Sequence, residues 1–287
     1  MVQLTVLGSG GWEGIPAPFC RCAICAQAGS PGFERDERTR PSFLINGPTG
    51  RFLLDAGFDL RLQSARFKLP PVADFVISHW HPDHMWGLFE LGFWTEGTMG
   101  GGVQVHGSRL TLEFARRYFS HIPFRYRELA PFEPFELHGV TVTPFPVLHM
   151  RTLDTTDPSD SRHNVFGFHL QSGDFRAAYL ADYYDIPSES RALISGADLI
   201  IADGTYLFEE ISPDAPGSHL LRADSTHRHG GAVRELAHSL GAGRIIYHSI
   251  THLSGRNHVE LSALLSPNES LAWDGMVVNL SAGAPVG

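Results

Sequence analysis

The sequence predicts an α/β fold. Short apolar runs of strand length, among them Gln3–Leu7, Phe75-Val76-Ile77 and Leu199-Ile200-Ile201-Ala202, end at glycine-rich turns or at a carboxylate or histidine. Between such runs lie segments with helical spacing, Leu110–Ser120 and the set Val233, Leu236, Ala237 and Leu240. The 287 residues, 43% hydrophobic and 18% charged, suffice to bury a sizeable core and are read as a single domain over 1–287.

The opening strand Gln3–Leu7 runs into Gly8-Ser9-Gly10-Gly11 and then Pro16 and Pro18, so the chain turns at once. Those glycines are not a nucleotide loop, because neither G-x-G-x-x-G nor a P-loop lysine follows. Cys20-Arg21-Cys22-Ala23-Ile24-Cys25 comes next. Three thiolates in C-x-C-x-x-C spacing suit a tetrahedral zinc that still needs a fourth ligand, and three buried free cysteines are the alternative. An odd number of cysteines, crowded together, is no disulfide framework. Ser42–Asn46 and Arg51–Asp55 predict a β-hairpin across Gly47-Pro48-Thr49-Gly50, its second strand ending at a carboxylate.

His79-Trp80-His81-Pro82-Asp83-His84 follows Phe75-Val76-Ile77 and precedes Met85-Trp86-Gly87-Leu88, which can begin a helix. A strand-to-helix turn can aim its ligands in different directions, as one helix face does not, and four ligands in one short loop suggest two metals. Beyond it, Val103–His106 and Val140–Thr143 predict strands, and His149 closes the run Thr143-Pro144-Phe145-Pro146-Val147-Leu148. The polar stretch 151–164 predicts a loop beside His149, in which Arg162 and His163 either meet an anionic substrate or face solvent. Phe166–Leu170 and Arg176–Leu180 predict a second hairpin across Gln171-Ser172-Gly173-Asp174, leading to Asp182. Leu199–Ala202 leads likewise to Asp203, expected to be structural or supporting.

His227 and His229 stand in Asp224-Ser225-Thr226-His227-Arg228-His229-Gly230, expected to open a helix capped by Asp224 or Ser225 and stopped by Gly241. A histidine in a first helical turn meets the positive end of the dipole, which favours giving up a proton and attracts phosphate. Either histidine therefore suits a general acid. Arg244-Ile245-Ile246-Tyr247 predicts a strand leading to His248 and, four residues on, His252. The chain closes with Trp273-Asp274-Gly275-Met276 and a final strand.

A net charge of −9 argues against a surface built to grip a nucleic-acid backbone. No apolar run is long enough to span a bilayer, and the amino terminus lacks the basic flank of a signal peptide, so the cytoplasm is the expected compartment.

The H-x-H-x-D-H loop, preceded by Asp55 and followed in order by His149, Asp182 and His248, resembles the metallo-β-lactamase superfamily. The resemblance implies a four-layer αβ/βα sandwich with a metal site at one edge, Asp55 as a brace for the metal loop, and a metal-dependent hydrolase. The C-x-C-x-x-C run, the late histidine pair and Asp-Gly-Met near the end are similar, more narrowly, to the PhnP-type phosphoribosyl cyclic phosphodiesterases. That likeness implies one catalytic metal on His79, His81, His149 and Asp182, and another on Asp83, His84, Asp182 and His248. It also implies a structural Zn²⁺ on Cys20, Cys22, Cys25 and His252. His227 matches the family's acid histidine, with His229 as its rival and Asp83 counted among the catalytic residues. The late pair, His-Ser-Ile-Thr-His, is one residue longer than the family's His-x-Ser-His.

The expected cofactors are two catalytic divalent metals, Zn²⁺ or Mn²⁺, and one structural Zn²⁺. The expected reaction is hydrolysis of a small phosphodiester, cyclic and ribosyl by resemblance, through a metal-bridging hydroxide, with His227 protonating the leaving alkoxide. Asp at position 182 favours phosphodiester, thioester and lactone hydrolases over antibiotic-hydrolysing members, many of which carry Cys there. A lactonase or thioesterase of the same fold is one alternative. Another is a non-catalytic accessory protein resembling PqqB of quinone-cofactor biosynthesis, a family that shares the cysteine cluster but lacks an intact H-x-H-x-D-H loop. The expected partner is a small anionic phosphodiester, with neither nucleic acid nor membrane. A homodimer is compatible with the sequence, which leaves the oligomeric state open.

Overall fold

In a computed structural model, which describes residues 2–92, 102–149, 164–208 and 227–280, the strands form two seven-stranded sheets. The first has the order β14 (Val277–Leu280), β1 (Val2–Gly8), β2 (Ser42–Gly47), β3 (Gly50–Leu54), β4 (Asp74–Val76), β5 (Gln104–Gly107) and β6 (Arg125–Glu128). The second runs β13 (Glu269–Leu271), β12 (Arg244–His248), β11 (Leu199–Asp203), β10 (Phe175–Tyr179), β9 (Phe166–Ser172), β8 (Val140–Pro146) and β7 (Phe135–Leu137). Each sheet is mixed. Hairpin partners such as β2 and β3 are antiparallel, while β3 to β6 and β10 to β13 are parallel.

Strand alternation builds the layers. Phe52 and Leu54 of β3 pack with Phe166 and Phe168 of β9 in the core between the sheets, whereas Leu53 points outward. That outer face is covered by the helix Arg109–Tyr118 through Leu112 and Ala115, and Ser108 caps the helix by accepting the Thr111 N–H. On the far side, Ile200, Ile245 and Tyr247 pack beneath Val233, Leu236 and Ala237 of the helix Gly231–Ser239, which ends before Gly241 at φ 67°. The result is helix, sheet, sheet, helix, the expected four-layer sandwich. Parallel strands point their carboxyl ends the same way, so the residues after β4, β10, β11 and β12 collect along one edge. Among the described residues no helix is long and apolar enough to cross a membrane.

One local expectation differs. The helix carrying Val233 starts at Gly231 with Gly230 at its N-cap, so His227 and His229 precede it and do not occupy its first turn. Asp224, Ser225, Arg162 and His163 lie outside the described residues.

Glu269 ties this helix to the sheet. Its carboxylate accepts from the Ser266 N–H at 2.7 Å, the Tyr247 hydroxyl at 2.8 Å and Arg234 Nε at 3.0 Å, with Arg234 Nη2 on the second oxygen. Burial alone raises a carboxyl, but these donors outweigh it and hold Glu269 down to about 2. A folded-state value below the unfolded one adds stability above the ordinary glutamate range, and that stability is lost as pH falls toward 2. Glu269→Gln should therefore melt below wild type at pH 7, with the gap closing as the buffer is taken from about pH 5 to about pH 3. Parallel melting curves across that window would remove Glu269 from this role.

Candidate metal centre

The metal loop hangs from one carboxylate. Asp55, directly after β3, is fully buried at φ 57°. It accepts the Ser78 N–H at 2.7 Å, the Ser78 hydroxyl at 2.8 Å, the Tyr179 hydroxyl at 2.6 Å and His84 Nδ1–H at 2.8 Å. Because the Ser78 hydroxyl proton goes to Asp55, its oxygen is left to accept His79 Nδ1–H at 2.9 Å. His79 and His84 thus both turn their Nε2 lone pairs away from these partners and toward the site. The loop also packs closely on its support, since a Cβ at Gly57 would stand 2.3 Å from the Asp83 carbonyl oxygen.

Opposite, β8 leads to His149 and β10 to Asp182. Asp182 Oδ2 lies 3.8 Å from His79 Nε2 and 3.6 Å from His149 Nε2, while Oδ1 lies 3.3 Å from His84 Nε2. His149 Nε2 is in turn 3.4 Å from His81 Nδ1, and Asp83 Oδ2 is 3.4 Å from His84 Nε2. His79, His81, His149 and Asp182 therefore form one cluster whose ligand atoms lie within 4.8 Å of one another, and Asp83, His84 and Asp182 form a second. One carboxylate faces both, each oxygen to its own side.

This donor set fits divalent metals. The Nε2 atoms of His79 and His84 are buried and make no hydrogen bond, which is costly unless a cation takes the lone pair. Burial and the neighbouring histidines push His79 well below the ordinary imidazole value and His81 down to about 3, so both rings are neutral ligands. His84 is driven well up despite its burial, because Asp182, Asp83 and Asp55 surround it, and such a carboxylate cluster calls for positive charge.

His248 departs from expectation. Alternation along β12 places it on the same side as Ile246, in the core between the sheets, with its ring 5.3 Å from both Phe43 and Tyr179. Its Nε2 donates to the Leu180 carbonyl at 2.9 Å and Nδ1 lies 2.9 Å from the Ser249 hydroxyl, so it does not join Asp83 and His84. The imidazole brought near Asp182 instead is His227, with Nε2 at 3.8 Å. Asp203 holds that ring by its Nδ1 at 2.6 Å, the supporting role expected for it. His229 stacks on Tyr206 at 4.3 Å. Of the two rivals, His227 lines the cavity of about 470 Å³ that opens before His81, Asp83 and Asp182.

A separate cluster, away from these, gathers Cys20, Cys22, Cys25 and His252. His252 Nδ1 lies 3.6 Å from Cys20 Sγ and 3.4 Å from Cys22 Sγ, and the N–H groups of Ala17 and Cys25 point at Cys25 and Cys22 sulfur. Burial raises the Cys22 thiol, but the Cys25 N–H and the neighbouring Cys20 and His252 bring it down to about 7, the direction a thiolate ligand needs. Four tetrahedral-type ligands in one place fit zinc.

The sandwich and its edge site define a class, the metallo-β-lactamase-fold hydrolases. A beta-lactamase superfamily domain matches residues 50–250, and the chain belongs to that superfamily. It is similar to a diphosphatase of the PhnP family, at 27% identity and a TM-score of 0.77 over 96% of both chains. It is also similar to coenzyme PQQ synthesis protein B of Methylobacterium nodulans, 26% identical over 95% of this chain and 97% of that one. Zn²⁺-bound PqqB from Methylobacterium extorquens shares the fold, with a TM-score of 0.77 at 22% identity over 97% of this chain and all of that one.

Proposed function

We propose that the protein is a metal-dependent phosphodiesterase acting on a small, cyclic ribosyl phosphodiester. The observation that supports it most is Asp182, one oxygen toward each ligand cluster, at the base of a cavity that His227 also lines. When bound, paired divalent metals supply charge that acidifies water and stabilises phosphoryl oxygens. His79, His81, His149 and Asp182 would hold one, and Asp83, His84 and Asp182 the other. Water adds to phosphorus, the phosphorus–oxygen ester bond breaks, and the departing alkoxide needs a proton. His227 is placed to give it from Nε2, because Asp203 occupies Nδ1 and so sets the ring's orientation. Likeness to the PhnP-family diphosphatase, together with the intact H-x-H-x-D-H loop, supports the same branch.

The likeness to coenzyme PQQ synthesis protein B favours a second reading, an accessory protein in quinone-cofactor biosynthesis. Elemental analysis beside an assay on bis-p-nitrophenyl phosphate separates the two. The phosphodiesterase is expected to hold about three metals per chain and to be active. One cysteine-bound zinc and no hydrolysis after Mn²⁺ or Zn²⁺ is added would favour the accessory role. His227→Ala should slow turnover of an alkyl diester on the order of 10²-fold and of an activated aryl diester far less. Equal losses on both would take the proton-donor role from His227.

A further inference from the structure

His227 has less beneath it than the other groups of the site. His149 and Asp182 follow the strands β8 and β10 and Asp203 ends β11, whereas residues 227–230 belong to no strand or helix and the next helix begins at Gly231. Asp203 fixes the tilt of the His227 ring through Nδ1, but that bond does not place the backbone from which the ring hangs. Arg228 does. Its N–H donates to the Tyr183 carbonyl at 3.1 Å, its Nε to the Ala232 carbonyl at 2.8 Å, and its Nη1 to the Tyr184 carbonyl at 3.0 Å and Asp185 Oδ1 at 3.2 Å. The segment Tyr183–Asp185 that receives these bonds follows Asp182 directly. It also holds the neighbour of His149, since the Tyr184 N–H donates to the Leu148 carbonyl at 2.8 Å and the Leu148 N–H to the Asp185 carbonyl at 2.9 Å. One short segment thus grips the chain beside Asp182, His149 and His227.

We propose that Arg228 is a positioning residue for proton transfer, locking the loop of His227 to the segment after Asp182 and so fixing His227 Nε2 against the carboxylate that both metal clusters share. The inference rests on the reading of His227 as the proton donor of a phosphodiesterase. A guanidinium suits the task because it is planar, always charged and directs its donors along set lines, and here two of its nitrogens reach three acceptors. The Arg228 and Asp185 side chains are 28% and 39% exposed, so their charge attraction is screened and the two carbonyl bonds carry the placement. Proton transfer is sensitive to that placement, since a displacement on the order of 1 Å can cost about 10²-fold. Metal binding is not, because the ligands of both clusters are carried by other segments.

The test compares ribose 1,2-cyclic phosphate, whose leaving group is an alkoxide, with bis-p-nitrophenyl phosphate in Mn²⁺-loaded protein. Arg228→Ala should slow the first at least about tenfold and the second less than about twofold, with metal content unchanged. In a His227→Ala background the same substitution should cost neither ester more than about twofold, because the group it positions is gone. Arg228→Lys, which keeps the charge and loses the planar fork, should show the same selectivity in smaller measure. Without substrate, the downfield proton resonance of His227 Nδ1–H on Asp203, recognised by its absence from His227→Ala, should shift or broaden in Arg228→Ala. Equal losses on both esters, a selective loss that persists without His227, lost metal, unmoved rates or an unmoved resonance overturns the proposal. So does failure of both the alanine and the lysine variant to fold, which would leave Arg228 to the fold alone. Failure of the underlying reading shows elsewhere, as metal-loaded wild type inactive on both esters or as His227→Ala slowing both equally.

Discussion

Asp182→Ala is expected to lower phosphodiester hydrolysis by at least about 10⁴-fold and the metal content from about three per chain to about one. The effect is larger than for the other ligands because each of those belongs to one cluster, whereas Asp182 belongs to both. Its carboxylate is buried, and burial alone would raise it. His84, then His227 and His149, outweigh that and hold it well below the ordinary range, so it is ionised and ready for cations. His81→Ala, by contrast, should deplete one cluster and leave the other partly filled. Elemental analysis of the two variants decides the matter, with circular dichroism confirming that each is folded. If the alanine variant at 182 keeps about three metals, the carboxylate is not shared and the two clusters fill independently.

Asp55→Ala is expected to destabilise the fold by about 3–5 kcal/mol, a fall in melting temperature on the order of 10 °C. Four donors converge on this carboxylate in a site with no solvent exposure. Its loss strands the Tyr179 and Ser78 hydroxyls and the His84 ring together. The backbone adds to the cost, because φ 57° is a conformation that aspartate and asparagine tolerate better than alanine. Tyr179→Phe removes a single donor and should cost only about 1 kcal/mol, which makes it the natural control. Melts should be run with and without a chelator, so that lost metal is separated from lost packing. A change in the alanine variant of less than about 1 kcal/mol would mean that the loop is held by something other than this network.

Much of this architecture was legible because it depends on local pattern. The central strands are apolar runs closed by turns, and the loop at 79–84 announces its chemistry by composition alone. What escaped is short or lies at the sheet edges. The strands Arg125–Glu128, Phe135–Leu137 and Glu269–Leu271 are outermost in their sheets, three or four residues long, and too brief to show a period. The helices Leu60–Arg66 and Ser188–Ile194 are two turns at most and equally silent.

At the site, residue type pointed to groups that the fold brings together, but orientation depends on strand parity. His248 stands one step from a turn, and only the registry of β12 against β11 shows that it faces the core. Ser78 left a trace in the sequence, a small polar residue between an apolar strand and the first ligand. Tyr179 left none, because a tyrosine in an apolar strand looks like packing until its hydroxyl is found on Asp55. Glu13 is similar. Its place in the cavity wall follows from His252, which is distant in sequence.

That distance also sets a clock. Cys22 and His252 meet across 230 positions, and synthesis at about 5–20 residues per second separates their emergence by roughly 10–50 s. The strand that closes the first sheet against β1 is later still. During that interval the growing chain displays three thiols without the His252 ring that gathers with them in the finished fold. The contact of Glu13 with His252, and so the placing of the loop that carries it, belongs to the finished chain.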